Sequence, residues 1–199
     1  MSLANDADDP YCCDYYLTNA FGTSGVIIYI RKEYRDYDIT MREIHQAELM
    51  TEAWDIVNSL KSKNKEDMII EIGKKIAARA EYDRSLNERI KFDKSLLNAE
   101  MNVERGAYGC LVMGKTVCSG YAKAFKLVCD LAGIECWVID GEVKEPHEWN
   151  IVCSDEYWYY ADVTGADTSG DKKFYKFGED LYRENGYVMD PNFVHPYSY

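Results

Sequence analysis

Positive charge is scarce in this chain: 23 Lys and Arg stand against 35 Asp and Glu, for a net charge of −12. A nucleic-acid or anionic-membrane partner needs a basic face, and this balance argues against both. Long hydrophobic runs are also missing. The clearest apolar stretch spans residues 26–30, far short of the roughly 18 residues of a membrane span. No CxxC pair occurs, which removes zinc-ribbon and thioredoxin readings. No linear calcium loop or metal-ligand cluster is visible, so neither metal nor cofactor is expected. There are only three histidines, His45, His147 and His195, and one glutamine, Gln46, so few residues can carry acid–base or amide chemistry. No internal repeat, linker or signal peptide is evident. The start Met1-Ser2-Leu3, followed by an acidic segment, fits the loss of native targeting residues.

What is present suits one domain with a sizeable core: 199 residues, of which 47% are hydrophobic. Residues 1–24 are polar and acidic and read as a mobile or loosely docked extension. Residues 25–199 read as a single domain with its core at 65–167. A short β-branched run predicts a strand at 25–30. Helical spacing predicts helices over 41–61 and 65–82, the first capped by Thr40 with Glu43 closing a capping box. A further short helix is expected near 94–100, and a glycine-bearing loop over 106–117. A central helix follows over 118–132, stopped by Gly133. Strands are expected over 135–140, 148–153 and 157–163, with short ones near 174–177 and at the C-terminus. Helices first and strands second argue for an α+β fold.

The seven cysteines are an odd number, so at least one lacks an intramolecular partner. A chain of this size does not depend on disulfides, and mostly buried thiols are expected, plus one with a function. The adjacent Cys12-Cys13 pair reads as incidental. Cys118 stands out because it falls at the start of the central helix. There the unsatisfied N–H groups and the positive end of the helix dipole favour a thiolate, and the Cys118 N–H suits an oxyanion. His45 lies among acidic residues on a helix and reads as a solvated surface residue. His147 opens a strand after Pro146. A turn at 154–156 that sets Val152 opposite Tyr157 brings Asp162 across from His147, within reach along the ladder. A thiol, an imidazole and a carboxylate in that order have the chemistry of a nucleophilic triad.

Three stretches carry a resemblance: Gly114-x-x-Val117-Cys118-x-Gly120-Tyr121-Ala122-x-Ala124-Phe125, then His147-x-Trp149-Asn150-x-Val152, then Trp158-Tyr159-x-x-Asp162-Val163-Thr164. Together with Glu81-Tyr82-Asp83 and Ala107-Tyr108-Gly109, they resemble the transglutaminase-like superfamily over residues 65–167, its bacterial members in particular. The resemblance implies a papain-like core in which the helix bearing the nucleophile packs on an antiparallel sheet bearing the other two residues. It implies Cys118 as nucleophile, His147 as general base and acid, and Asp162 as the orienting carboxylate. It further implies a protein or peptide substrate and a lean towards the cell envelope or secretion. Glu148 stands where the family has a small residue, and Gly165 where a tryptophan commonly follows, so both become candidate substrate determinants. Tyr108, Ser119 and Trp149 complete the candidate oxyanion and substrate residues. Gln46 lies far upstream, so the glutamine oxyanion donor of papain-type proteases has no counterpart near Cys118.

One competing motif exists. Gly109 to Thr116 fits the P-loop pattern, with Asp140 ending an apolar run downstream. A P-loop follows a buried strand in a parallel sheet, whereas the residues upstream are polar and the strands downstream read as hairpins. The favoured function is acyl transfer or amide hydrolysis through a thioacyl intermediate. The alternatives are a silent binding or scaffolding module on the same fold and, further off, nucleotide binding. The acyl acceptor and the oligomeric state stay open.

Overall fold

The computed structural model describes residues 13–20, 23–30, 39–92, 102–155, 157–168 and 176–191. The chain opens with a hairpin of β1 (Cys13–Ala20) and β2 (Thr23–Ile30). The hairpin spans the expected boundary after residue 24, so the strand anticipated at 25–30 has a partner upstream of it. Helix α1 (Ile39–Asn58) begins ahead of Thr40, which puts the expected capping residue inside the helix. Helix α2 (Lys65–Arg79) is capped by Asn64, whose side chain accepts from the Asp67 N–H at 3.2 Å. Then come β3 (Glu81–Tyr82), α3 (Arg84–Phe92), α4 (Asn102–Arg105) and α5 (Ala107–Leu111). Part of the expected 106–117 loop is therefore helical, while the helix expected near 94–100 lies outside the described residues. Strand β4 (Lys115–Thr116) pairs in parallel with β3 and leads into helix α6 (Cys118–Leu131).

Helix α6 is central because its sequence is apolar on nearly every side. Tyr121, Ala124, Phe125, Val128 and Cys129 are buried against Leu49 and Ala53 of α1 and Ile69, Ile72 and Ile76 of α2. The helix stops just before Gly133, at φ 73°. The sheet that follows has five strands in the order β8-β7-β6-β5-β9: β5 (Cys136–Val143), β6 (Glu145–Ser154), β7 (Tyr157–Ala161), β8 (Lys176–Phe177) and β9 (Val188–Met189). Every pairing in it is antiparallel. Helix α7 (Val163–Thr168) follows β7, and α8 (Glu179–Glu184) precedes β9. Val152 and Ala161 join the α6 core, whereas Ile139, Trp149, Ile151 and Tyr160 form a second aromatic cluster with Tyr182. This is the α+β arrangement expected from helices followed by strands.

The β6–β7 register differs from the expected one by two residues. Val152 pairs with Tyr159 rather than Tyr157, and Ser154 with Tyr157. Asp155 adopts φ 56°, a left-handed conformation that allows so short a connection. Because the difference is even, every side chain keeps its expected face.

The approach to Cys118 is tightly built. Thr116 donates its hydroxyl to the Glu104 carbonyl at 2.6 Å. A Cβ at Gly120 would run into the Thr116 side chain and come within 2.9 Å of the Gly106 carbonyl. Gly120→Ala is expected to destabilise the fold by about 1–3 kcal/mol, as overpacking does. Urea unfolding checks this, and an unchanged midpoint would contradict the packing. Among the described residues, no helix is long and apolar enough to cross a membrane.

Candidate active site

Cys118 is the first residue of α6. The preceding Val117 supplies no side-chain cap, so no side chain of the N-cap residue competes for the helix's first N–H groups. The Gly120 N–H donates to the Val117 carbonyl at 3.0 Å, and the helix dipole favours negative charge at Cys118. The Cys118 side chain is partly exposed, whereas Cys110, Cys129 and Cys136 are buried. Burial, followed by contact with Cys136, pushes the Cys129 thiol well up. Burial also raises Cys153, whose sulfur donates to the Asp155 carbonyl at 3.2 Å.

His147, on β6, places Nε2 at 2.8 Å from Asp162 Oδ2. Asp162 lies just past the end of β7, on the diagonal from His147 that the two-residue difference in register creates. His147 also interacts with Cys118, through hydrogen bonding and charge. Burial works against a charge on this imidazole. The hydrogen bonds to Asp162 and Cys118 and the charges of both outweigh it and raise His147 to about 10. Asp162 is 7% exposed, and burial pushes its carboxyl up. The bonds from His147, Tyr187 and the Gly165 N–H more than offset this and hold it below the usual carboxylate range. An imidazole, a carboxylate and a sulfur at a helix N-terminus thus converge. Such an arrangement can support nucleophilic attack on an acyl carbon.

The remaining predicted residues divide by location. Glu148 lines the cavity beside His147 and Cys118, about 500 Å³ in volume, and pairs with Arg105 at 3.7 Å. It sits directly across the ladder from Asp140, also in the cavity wall. Burial and the Glu148 carboxylate raise Asp140 to about 6. Gly165 does not line this cavity; its N–H donates to Asp162 Oδ1 at 3.2 Å, so it supports the carboxylate instead. Trp149 is buried and stacks on His147 with ring centroids 5.9 Å apart. Ser119 is buried, and its hydroxyl has no hydrogen-bond partner among the described residues. Tyr108 is buried too, and its hydroxyl donates to Glu48 at 2.5 Å, which turns it away from the expected oxyanion role. His45 packs against the Tyr108 ring at 4.5 Å rather than standing free in solvent. His195 lies outside the described residues.

Sequence reasoning missed Tyr187, Arg105 and Asp190. Tyr187 donates its hydroxyl to Asp162 Oδ2 at 2.8 Å. Arg105 and Asp190 line the cavity. No motif marks any of them. The nearest signal was the abundance of tyrosine, 17 in all. The P-loop pattern, by contrast, falls across α5 and β4, with Gly109 inside the helix. Lys115 pairs with Asp83 at 3.4 Å, so its ammonium already has a carboxylate partner.

Among solved structures, the chain resembles one described as a TGase, with a TM-score of 0.50 and 16% identity. The fold is transglutaminase-like. That match covers 76% of this chain and 44% of the other, so the chain spans less than half the length of that protein. A candidate cysteine protease from Cytophaga hutchinsonii matches with a TM-score of 0.45 and 13% identity, over 74% of this chain and 49% of the other. No family model and no curated protein sequence matches the chain.

Proposed function

We propose that this protein is a cysteine-dependent acyltransferase or amidase that works through a thioacyl intermediate on a protein or peptide substrate. The observation that carries the reading is the meeting of Cys118 and Asp162 at the His147 imidazole, beside a cavity lined by Cys118 and His147. A silent binding module has no need of a charged, oriented imidazole next to a partly exposed thiol at a helix start.

The proposed cycle begins with the Cys118 thiolate facing the His147 imidazolium. Sulfur attacks the amide carbon, and the carbonyl π electrons move onto oxygen, near the first N–H groups of α6. His147 gives its proton to the leaving nitrogen, the C–N bond breaks, and ammonia or an amine departs. The thioester is then attacked by water or by an acceptor amine. Neutral His147 removes the proton of that nucleophile, and the C–S bond breaks to restore the ion pair. Asp162 keeps the imidazole in one orientation throughout.

The test is twofold. Iodoacetamide is expected to modify Cys118 faster than any other thiol of the folded protein, as read by peptide mass spectrometry. Peptide-amide libraries, with and without an amine acceptor, then report hydrolysis or transamidation. Uniform labelling of all seven cysteines together with no amide turnover would overturn the reading.

A further inference from the structure

We infer that Tyr187 is a positioning residue for Asp162, supplied by the segment between α8 and β9 and acting on the same carboxylate oxygen as His147. The inference rests on the function proposed above. Asp162 Oδ2 accepts from Tyr187 Oη at 2.8 Å and is 2.8 Å from His147 Nε2, while Oδ1 takes the Gly165 N–H at 3.2 Å. Three groups from three parts of the chain thus fix both oxygens of one carboxylate. Without the phenol, Oδ2 would depend on the imidazole alone, and the carboxylate plane could swing with it.

The phenol is itself held. Its ring meets Trp149 edge-on at 5.1 Å and stacks on Tyr182 at 5.4 Å, and the His147 ring lies 6.4 Å away. Trp149 in turn stacks on His147, so the aromatic packing and the hydrogen bond orient the same pair of groups. Burial, together with the Asp162 charge, raises the Tyr187 phenol, so it stays a neutral donor throughout the working range of pH. A neutral donor to an anion favours the ionised carboxylate over the acid. Tyr187 thereby keeps Asp162 charged and the His147 imidazole aligned, without touching substrate.

The test compares the rate of Cys118 alkylation by iodoacetamide across pH in the wild type, Tyr187→Phe and Asp162→Asn. Tyr187→Phe keeps the ring and its packing and removes only the donor. The rate in this variant is expected to fall about tenfold, the scale of one charge-assisted hydrogen bond. Its acid limb is expected to move towards neutral pH as the Asp162 carboxyl becomes easier to protonate. Site-specific 3,5-difluorotyrosine at 187, a stronger donor, is expected to move that limb the opposite way, and it serves as the readout if the phenylalanine variant fails to fold. A purely structural tyrosine would alter the melting temperature and leave the pH limb in place. If Tyr187→Phe and the fluorinated protein match the wild type while Asp162→Asn is slow, the Tyr187 role is overturned and the function stands. If Asp162→Asn also matches the wild type, both are overturned.

Discussion

Cys118→Ala is expected to eliminate amide turnover, to the limit set by the uncatalysed reaction. No other described thiol can substitute. Cys110, Cys129 and Cys136 are buried, and the Cys153 thiol is raised by burial. Among the described thiols, Cys118 alone combines partial exposure, a helix N-terminus and a charged imidazole partner. Groups that act as a unit lose most of their effect when any one is removed, so His147→Ala is expected to fall nearly as far. The measurement is turnover of whichever peptide amide the wild type accepts. Thermal melting of the variant should stay close to the wild type, since Cys118 is not part of the hydrophobic core. Retained turnover in Cys118→Ala would mean that the chemistry resides elsewhere.

Asp162→Asn is expected to lower turnover by about 10³–10⁴-fold, the scale seen when an orienting carboxylate becomes an amide. The side chain keeps its shape, but a neutral amide no longer favours the imidazolium. The pH dependence gives the sign. His147 is raised from an ordinary value near 6.5 to about 10, so its stabilising interaction is complete below the lower value and is lost as pH rises through the higher. Asp162 is held low, so its contribution is present above the usual carboxylate range and is lost on acidification. In wild type, activity should therefore persist to alkaline pH and decline as His147 loses its proton. In Asp162→Asn the largest group raising His147 loses its charge, so burial, which favours the neutral ring, is opposed mainly by Cys118. The alkaline limb should drop by pH units, and the pH dependence of stability on both flanks should flatten. An unchanged alkaline limb would mean that Asp162 does not set the state of His147.

Much of this arrangement was legible in the sequence where a short-range rule governs it. Cys118 begins a helix because the apolar spacing of Tyr121, Phe125 and Val128 starts there, and glycine ends that helix two residues past Leu131. His147 and Asp162 meet because a hairpin must bring them close, whichever of two neighbouring registers it takes. The register itself was misjudged because Asp155 accepts a left-handed conformation, for which the surrounding residues give no warning. The 106–117 stretch read as a loop because of its glycines. Gly109, however, sits against the Glu104 backbone, where a Cβ would collide, so it serves packing rather than flexibility. Tyr108 looked like an oxyanion donor from its nearness to Cys118 in sequence, and its partner on α1 could not be foreseen. Tyr187 joins Asp162 across 25 positions with no intervening motif. Long-range side-chain pairs of this kind emerge only when the whole sheet is assembled.

The placement of β9 has a consequence for biosynthesis. This strand pairs with β5, so the sheet's far edge is completed by residues some 46 to 48 positions downstream of their partners. On the ribosome, Cys118, His147 and Asp162 all emerge before Tyr187 and β9. A nascent chain can therefore carry Cys118, His147 and Asp162 while the carboxylate still lacks one of its donors and one edge of the sheet stays open. Such late, non-local closure is slow relative to helix formation. On the function proposed above, full Cys118 reactivity is expected only once β9 has paired with β5 and Tyr187 has reached Asp162.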